Sequence, residues 1–62
     1  MRNVEKLLSP TDLAGYLDVP RSTVYEWNYR RTGPPTIRIG KHVRYREADV
    51  EQWLRERQKA SA

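Results

Sequence analysis

Apolar positions along this chain change period twice. Leu13, Ala14 and Leu17 fall on one helical face, and Val24 and Trp27 repeat that spacing after a break. From residue 36 the period drops to two. Thr36-Ile37-Arg38-Ile39 and Val43-Arg44-Tyr45-Arg46 alternate polar and apolar side chains, the pattern of half-buried strands. Helical spacing then returns in Val50, Trp53, Leu54 and the stem of Arg57. The pattern predicts helix, helix, two strands, helix.

Local chemistry sets the boundaries. Ser9 is a good N-cap, Pro10 suits the first helical position, and Asp12 completes an acidic variant of the capping box, with Leu7-Leu8 leading in. This first helix runs to about Leu17. Asp18-Val19-Pro20 ends it, because the residue before proline avoids helical angles. A second helix starts at Pro20 or Arg21 and runs to about Arg30. Arg31-Thr32-Gly33-Pro34-Pro35 is a loop. Gly40-Lys41-His42 is read as the turn of a β-hairpin, with glycine able to take positive φ. That turn puts Ile37, Ile39, Val43 and Tyr45 on one face and Arg38, Arg44 and Arg46 on the other. A third helix spans about Glu47 to Gln58. Glu47 and Asp49 suit its first turn, Glu51 and Arg55 pair at i,i+4, and Lys59 to Ala62 form a frayed tail. Trp27 and Trp53 are expected to anchor the core, with Tyr45 packed and Tyr16 at its rim. The expected fold class is α+β, a small winged helix-turn-helix over residues 1–62 with a core at about 7–57.

Composition narrows the function. The 62 residues contain no cysteine, which excludes disulfides and thiolate metal sites, and the lone histidine, His42, lies on a turn. No metal or other cofactor is expected. A small-molecule ligand is not expected either, because a chain this short rarely forms a substantial pocket. Neither a phosphate-binding glycine loop nor a nucleophile–base pair appears, so catalysis is not expected. No run of apolar residues approaches the roughly 20 needed to cross a bilayer, and no signal-peptide pattern appears. An intracellular, soluble protein is expected.

Charge gives the direction. The net charge is +4, but the basic residues are concentrated. Arg21, Arg30, Arg31, Arg38, Lys41, Arg44 and Arg46 lie between residues 21 and 46 with Glu26 as the one acid, while both flanks are nearly neutral. Such a surface suits a polyanion, above all nucleic acid. On the second helix Ser22, Glu26 and Tyr29 point opposite to Val24 and Trp27, flanked by Arg21, Tyr25 and Arg30. Arg21 can clamp phosphate or guanine, and Ser22 and Thr23 either donate to phosphate or merely start the helix. Glu26 either accepts from a cytosine amino group or pairs with Arg30.

Taken in order, Leu7-Leu8-Ser9-Pro10, Leu13-Ala14…Leu17, Val19 to Trp27, Gly33-Pro34-Pro35…Ile39-Gly40-Lys41…Val43-Arg44-Tyr45-Arg46 and Asp49 to Leu54 resemble the excisionase-like, MerR-type winged helix-turn-helix group. It includes phage excisionases (recombination directionality factors) and AlpA-like small regulators. The resemblance covers about residues 7–57. It implies a second helix in the major groove of double-stranded DNA and a wing on an adjacent minor groove or backbone. The contacts it implies are Arg21, Ser22, Thr23, Tyr25 and Glu26 on the helix and Arg38, Lys41 and Arg44 on the wing; Tyr29, Arg30 and Arg46 extend the same surfaces. Pro20, where many relatives carry a capping serine, and Glu26, where many carry a basic residue, depart from the group.

Two roles fit. An excisionase would bind attachment-site DNA as several adjacent copies, bend it and direct a phage integrase toward excision, in the cytoplasm of a bacterial host at the nucleoid. An AlpA-like regulator would use the same surface at a promoter. MerR-type regulators carry a long coiled coil and effector domain, for which this sequence has no room, and that favours the excisionase. A third reading is a protein-interaction module whose basic face meets an acidic partner.

Overall fold

The computed structural model describes residues 6–61. Its elements are β1 (Leu7–Leu8), α1 (Pro10–Leu17), α2 (Arg21–Arg30), β2 (Ile37–Ile39), β3 (His42–Arg46) and α3 (Glu47–Ser61). The three strands form one antiparallel sheet in the order β1-β3-β2. The result is a small winged helix-turn-helix.

The start of α1 follows from its capping chemistry. The Ser9 hydroxyl accepts from the Asp12 amide at 3.0 Å, and the Asp12 carboxylate accepts from the Ser9 amide at 3.1 Å. Those bonds favour the ionised acid, so Asp12 titrates below its ordinary 3.8, first through the backbone amide of Ser9 and then through its hydroxyl. A depressed carboxylate stabilises the fold above its unfolded pKa and loses that effect as pH falls through the folded value. In acid titrations, Asp12→Asn is therefore expected to remove part of the stability change below about pH 4. An unaltered acid limb would show that the cap is energetically silent.

The helix ends where Asp18 takes the left-handed conformation, φ 58°, which aspartate tolerates better than most side chains. Helix α2 begins at Arg21 behind Pro20, which offers no side-chain cap. It ends at Arg31, also left-handed at φ 58°, with the Thr32 amide donating to the Trp27 carbonyl at 2.9 Å.

The structure departs from expectation in four places. Leu7-Leu8 pairs with β3, Leu7 opposite Arg46 and Leu8 opposite Tyr45, and so adds a third strand. Helix α3 continues through Ser61 instead of fraying after Gln58, because Lys59 and Ala60 are strong helix formers; Ala62 lies outside the described residues. The centre of the core is Leu13, Ala14, Val24, Tyr45 and Val50, with Tyr45 the largest fully buried side chain. Trp27 and Trp53 are half-buried beside it, with ring centroids 5.0 Å apart. The Arg57 guanidinium lies 4.8 Å from the Trp53 ring, so its head stacks on the indole while the residue stays exposed.

The fourth departure is the hairpin register. Ile39 pairs with His42, Arg38 with Val43 and Ile37 with Arg44. The loop is therefore the two residues Gly40-Lys41. Gly40 is at φ 60° and Lys41 is not at positive φ, a turn with glycine at its first central position. A register shift of one residue moves every side chain of one strand to the other face. Arg38 consequently shares a face with Val43 and Tyr45, toward the helices. Ile37 and Ile39 share the opposite face with Arg44 and Arg46, and Ile39 is left 51% exposed. The single basic face of Arg38, Arg44 and Arg46 does not form.

Candidate nucleic-acid interface

Helix α2 is held by one buried face. Val24 is fully buried, Trp27 packs against the core, and Asn28 lies between them and the hairpin. The buried Tyr45 hydroxyl donates to Asn28 Oδ1 at 2.7 Å, joining α2 to β3. Burial raises the Tyr45 pKa above its ordinary 10.0, and the bond to Asn28 opposes part of that rise.

The opposite face is the one expected from the spacing. Arg21, Ser22, Tyr25, Glu26, Tyr29 and Arg30 are all exposed, and Thr23 is half-buried. Tyr25 and Tyr29 are large aromatic side chains left in solvent, Tyr29 at 89% exposure. Arg21 Nη1 donates to Thr11 Oγ1 at 3.3 Å, so the guanidinium rests against the start of α1. Glu26 pairs with Arg30 at 3.1 Å, which realises the pairing alternative for Glu26. Such an exposed pair contributes little to stability, so either group can exchange its partner for a ligand at small cost.

The first turn of α2 differs from those of the other helices. Helix α1 has a capping box and α3 has Glu47 and Asp49, whereas α2 has neither an acidic first turn nor a side-chain cap. The positive end of its dipole is therefore not offset by a carboxylate of its own.

The basic residues of the hairpin divide between its faces. Lys41 is exposed at the tip. Arg44 is half-buried and donates through Nη1 to the Val43 carbonyl at 2.8 Å, and Arg46 is exposed on the same face. Arg38 lies on the other face and lines a cleft of about 510 Å³ between α2 and the hairpin. Asn28, Tyr29, Arg31 and Thr36 line the same cleft, and of these Asn28, Arg31 and Thr36 were not among the expected contact residues. Asn28 had a signal in the sequence, because it falls one turn after the buried Val24 and so is a polar residue at a buried phase. Arg31 directly follows the last residue of α2, in a stretch otherwise read as a bare loop.

The floor of the cleft is fixed by close packing. A Cβ on Gly33 would sit 2.9 Å from Trp27 Cβ, so the loop passes the indole only as glycine. Trp53 Nε1 donates to the Thr32 carbonyl at 3.1 Å and ties the same loop to α3. Pro34 beside it is buried. Elsewhere, no group of histidine, cysteine and carboxylate residues among the described residues could hold a metal ion. No helix among them is long and apolar enough to cross a membrane.

A family profile described as a helix-turn-helix domain matches residues 7–58. Neither a curated protein nor a solved structure matches the chain. The profile match takes in β1, α1, α2, the hairpin and most of α3, and the chain thus belongs to the helix-turn-helix domain family, a fold that supports sequence-specific binding of double-stranded DNA.

Proposed function

We propose that this protein is an excisionase-type architectural factor. It binds attachment-site DNA as adjacent copies, bends it and directs a phage integrase toward excision, in the bacterial cytoplasm at the nucleoid. It performs no chemistry of its own. Helix α2 enters the major groove with Arg21, Ser22, Thr23, Tyr25, Glu26, Tyr29 and Arg30 toward the DNA. The hairpin enters a neighbouring minor groove with Lys41 leading.

The observation that carries the reading is the division of charge across the hairpin. A ribbon with cations on both faces, Arg38 on one and Arg44 and Arg46 on the other, suits insertion between two phosphate walls better than lying flat on one strand. A hairpin held in one groove while a helix fills the next applies leverage to the duplex, and a bend of 40–90° costs roughly 1–6 kcal/mol.

A gel-shift titration on DNA flanking an integrase attachment site, with a permuted-fragment bend assay, tests the reading. The expected result is a ladder of successive complexes with a bend. Four to six phosphate contacts should give a log–log salt slope of about −4 to −5. One unbent complex formed only at a promoter would replace the excisionase with an AlpA-like regulator. Binding indifferent to salt would point to an acidic protein partner instead.

A further inference from the structure

We propose that the cleft between the end of α2 and the hairpin is a phosphate clamp, in which Arg31 and Arg38 together hold one sugar–phosphate strand of the duplex. The proposal rests on the DNA-binding reading above and specifies which part of the DNA the cleft takes.

The hairpin register supplies the first argument. With Arg38 opposite Val43, its side chain is directed to the α2 side of the hairpin and lines the cleft. A strand passing between a groove filled by α2 and a groove filled by the hairpin must cross this cleft, since it separates the two elements. At about 510 Å³ the opening lies within the size range of sites that enclose whole small ligands.

The backbone at Arg31 supplies the second argument. The position after a helix that takes φ 58° is ordinarily glycine, because a Cβ is disfavoured there. Arginine holds this conformation at some backbone strain, and such strain concentrates at functional positions. Arg31 lines the cleft together with Arg38, and neither is paired with a carboxylate among the described residues. Two arginines lining one cleft from the helix end and from the hairpin offer an anion donors on two sides. Phosphate matches their planar, forked donors. Tyr29, exposed at the same cleft, adds a hydroxyl donor.

A purely structural role for Arg31 is its charge at the C-terminal end of the α2 dipole. Salt titrations separate the two roles. The unsubstituted chain, Arg31→Gln, Arg38→Gln and the double variant are titrated on one specific duplex and one scrambled duplex. Each single variant is expected to weaken binding about 3- to 10-fold at about 0.15 M salt, equally on both duplexes, and to shallow the salt slope by about one. The double variant should shallow it by about two. Slopes unchanged from the parent overturn the clamp and leave the DNA reading standing. Absence of salt-dependent duplex binding by the parent overturns both.

Arg31→Gly adds an independent readout. Relief of the left-handed strain is expected to raise Tm by about 4 °C, while binding weakens as in Arg31→Gln. A lower Tm accompanied by lost binding would assign Arg31 to the fold and overturn the clamp.

Discussion

Tyr45→Ala is expected to remove about a third or more of the stability of the fold. Tyr45 is fully buried among Leu13, Ala14, Val24 and Val50, and its hydroxyl bonds to Asn28. Truncating a buried aromatic side chain costs about 3–5 kcal/mol. At about 0.05–0.15 kcal/mol per residue, a chain of 62 residues has only about 3–9 kcal/mol to lose. Tyr45→Phe keeps the ring and loses only the hydrogen bond, a cost of about 1 kcal/mol, so it should stay folded. Urea titration followed by the fluorescence of the Trp27–Trp53 pair distinguishes these variants. A Tyr45→Ala protein within about 1 kcal/mol of the parent would move the centre of the core elsewhere. The raised pKa of Tyr45 adds a pH signature. Its neutral form is favoured by folding, so the associated stability is intact below pH about 10 and is lost as pH rises through the folded value.

Ser22→Glu should act in opposite directions on stability and on binding. Ser22 is exposed in the first turn of α2, which has neither cap nor acid. A glutamate there complements the helix dipole and should stabilise the fold by about 0.3–1 kcal/mol. The same carboxylate would face the phosphates of a bound duplex. Like charges about 4 Å apart repel by about 4 kcal/mol at an effective dielectric of 20, so binding should fall at least tenfold, a loss of about 1.4 kcal/mol or more. Thermal melts and duplex titrations on one preparation measure both effects. Unchanged affinity in a folded Ser22→Glu protein would remove the start of α2 from the interface, because no fold defect could be hiding the result.

Features governed by neighbouring residues were legible in the sequence. Ser9-Pro10 with Asp12 defines the start of α1 through bonds spanning three residues, and both bonds form. Val24 and Trp27 define the inner face of α2, and the exposed side chains fall opposite. Features set by distant partners were less legible. Leu7-Leu8 is too short to show strand alternation, and its pairing with Tyr45 and Arg46 depends on the whole intervening fold. Gly40-Lys41-His42 admits a turn of two or three residues, and that one-residue ambiguity decides which face receives Arg38. Periodicity also gives the direction of a side chain but not its depth. Tyr45 therefore occupies the centre while the larger indoles of Trp27 and Trp53 settle against each other at its edge.

The pairing of β1 with β3 bears on the order in which the molecule becomes competent during synthesis. Leu7 and Leu8 leave the ribosome before either helix, yet their partners Arg46 and Tyr45 follow both helices and the turn. Until then the chain must close a loop around the entire helix-turn-helix, an entropic cost that local contacts alone do not offset. Helix α2 also lacks Tyr45 and Val50 against its buried side up to that point. Helix α2 is thus made early and becomes rigid late, only after β3 and the first turn of α3 have been synthesised.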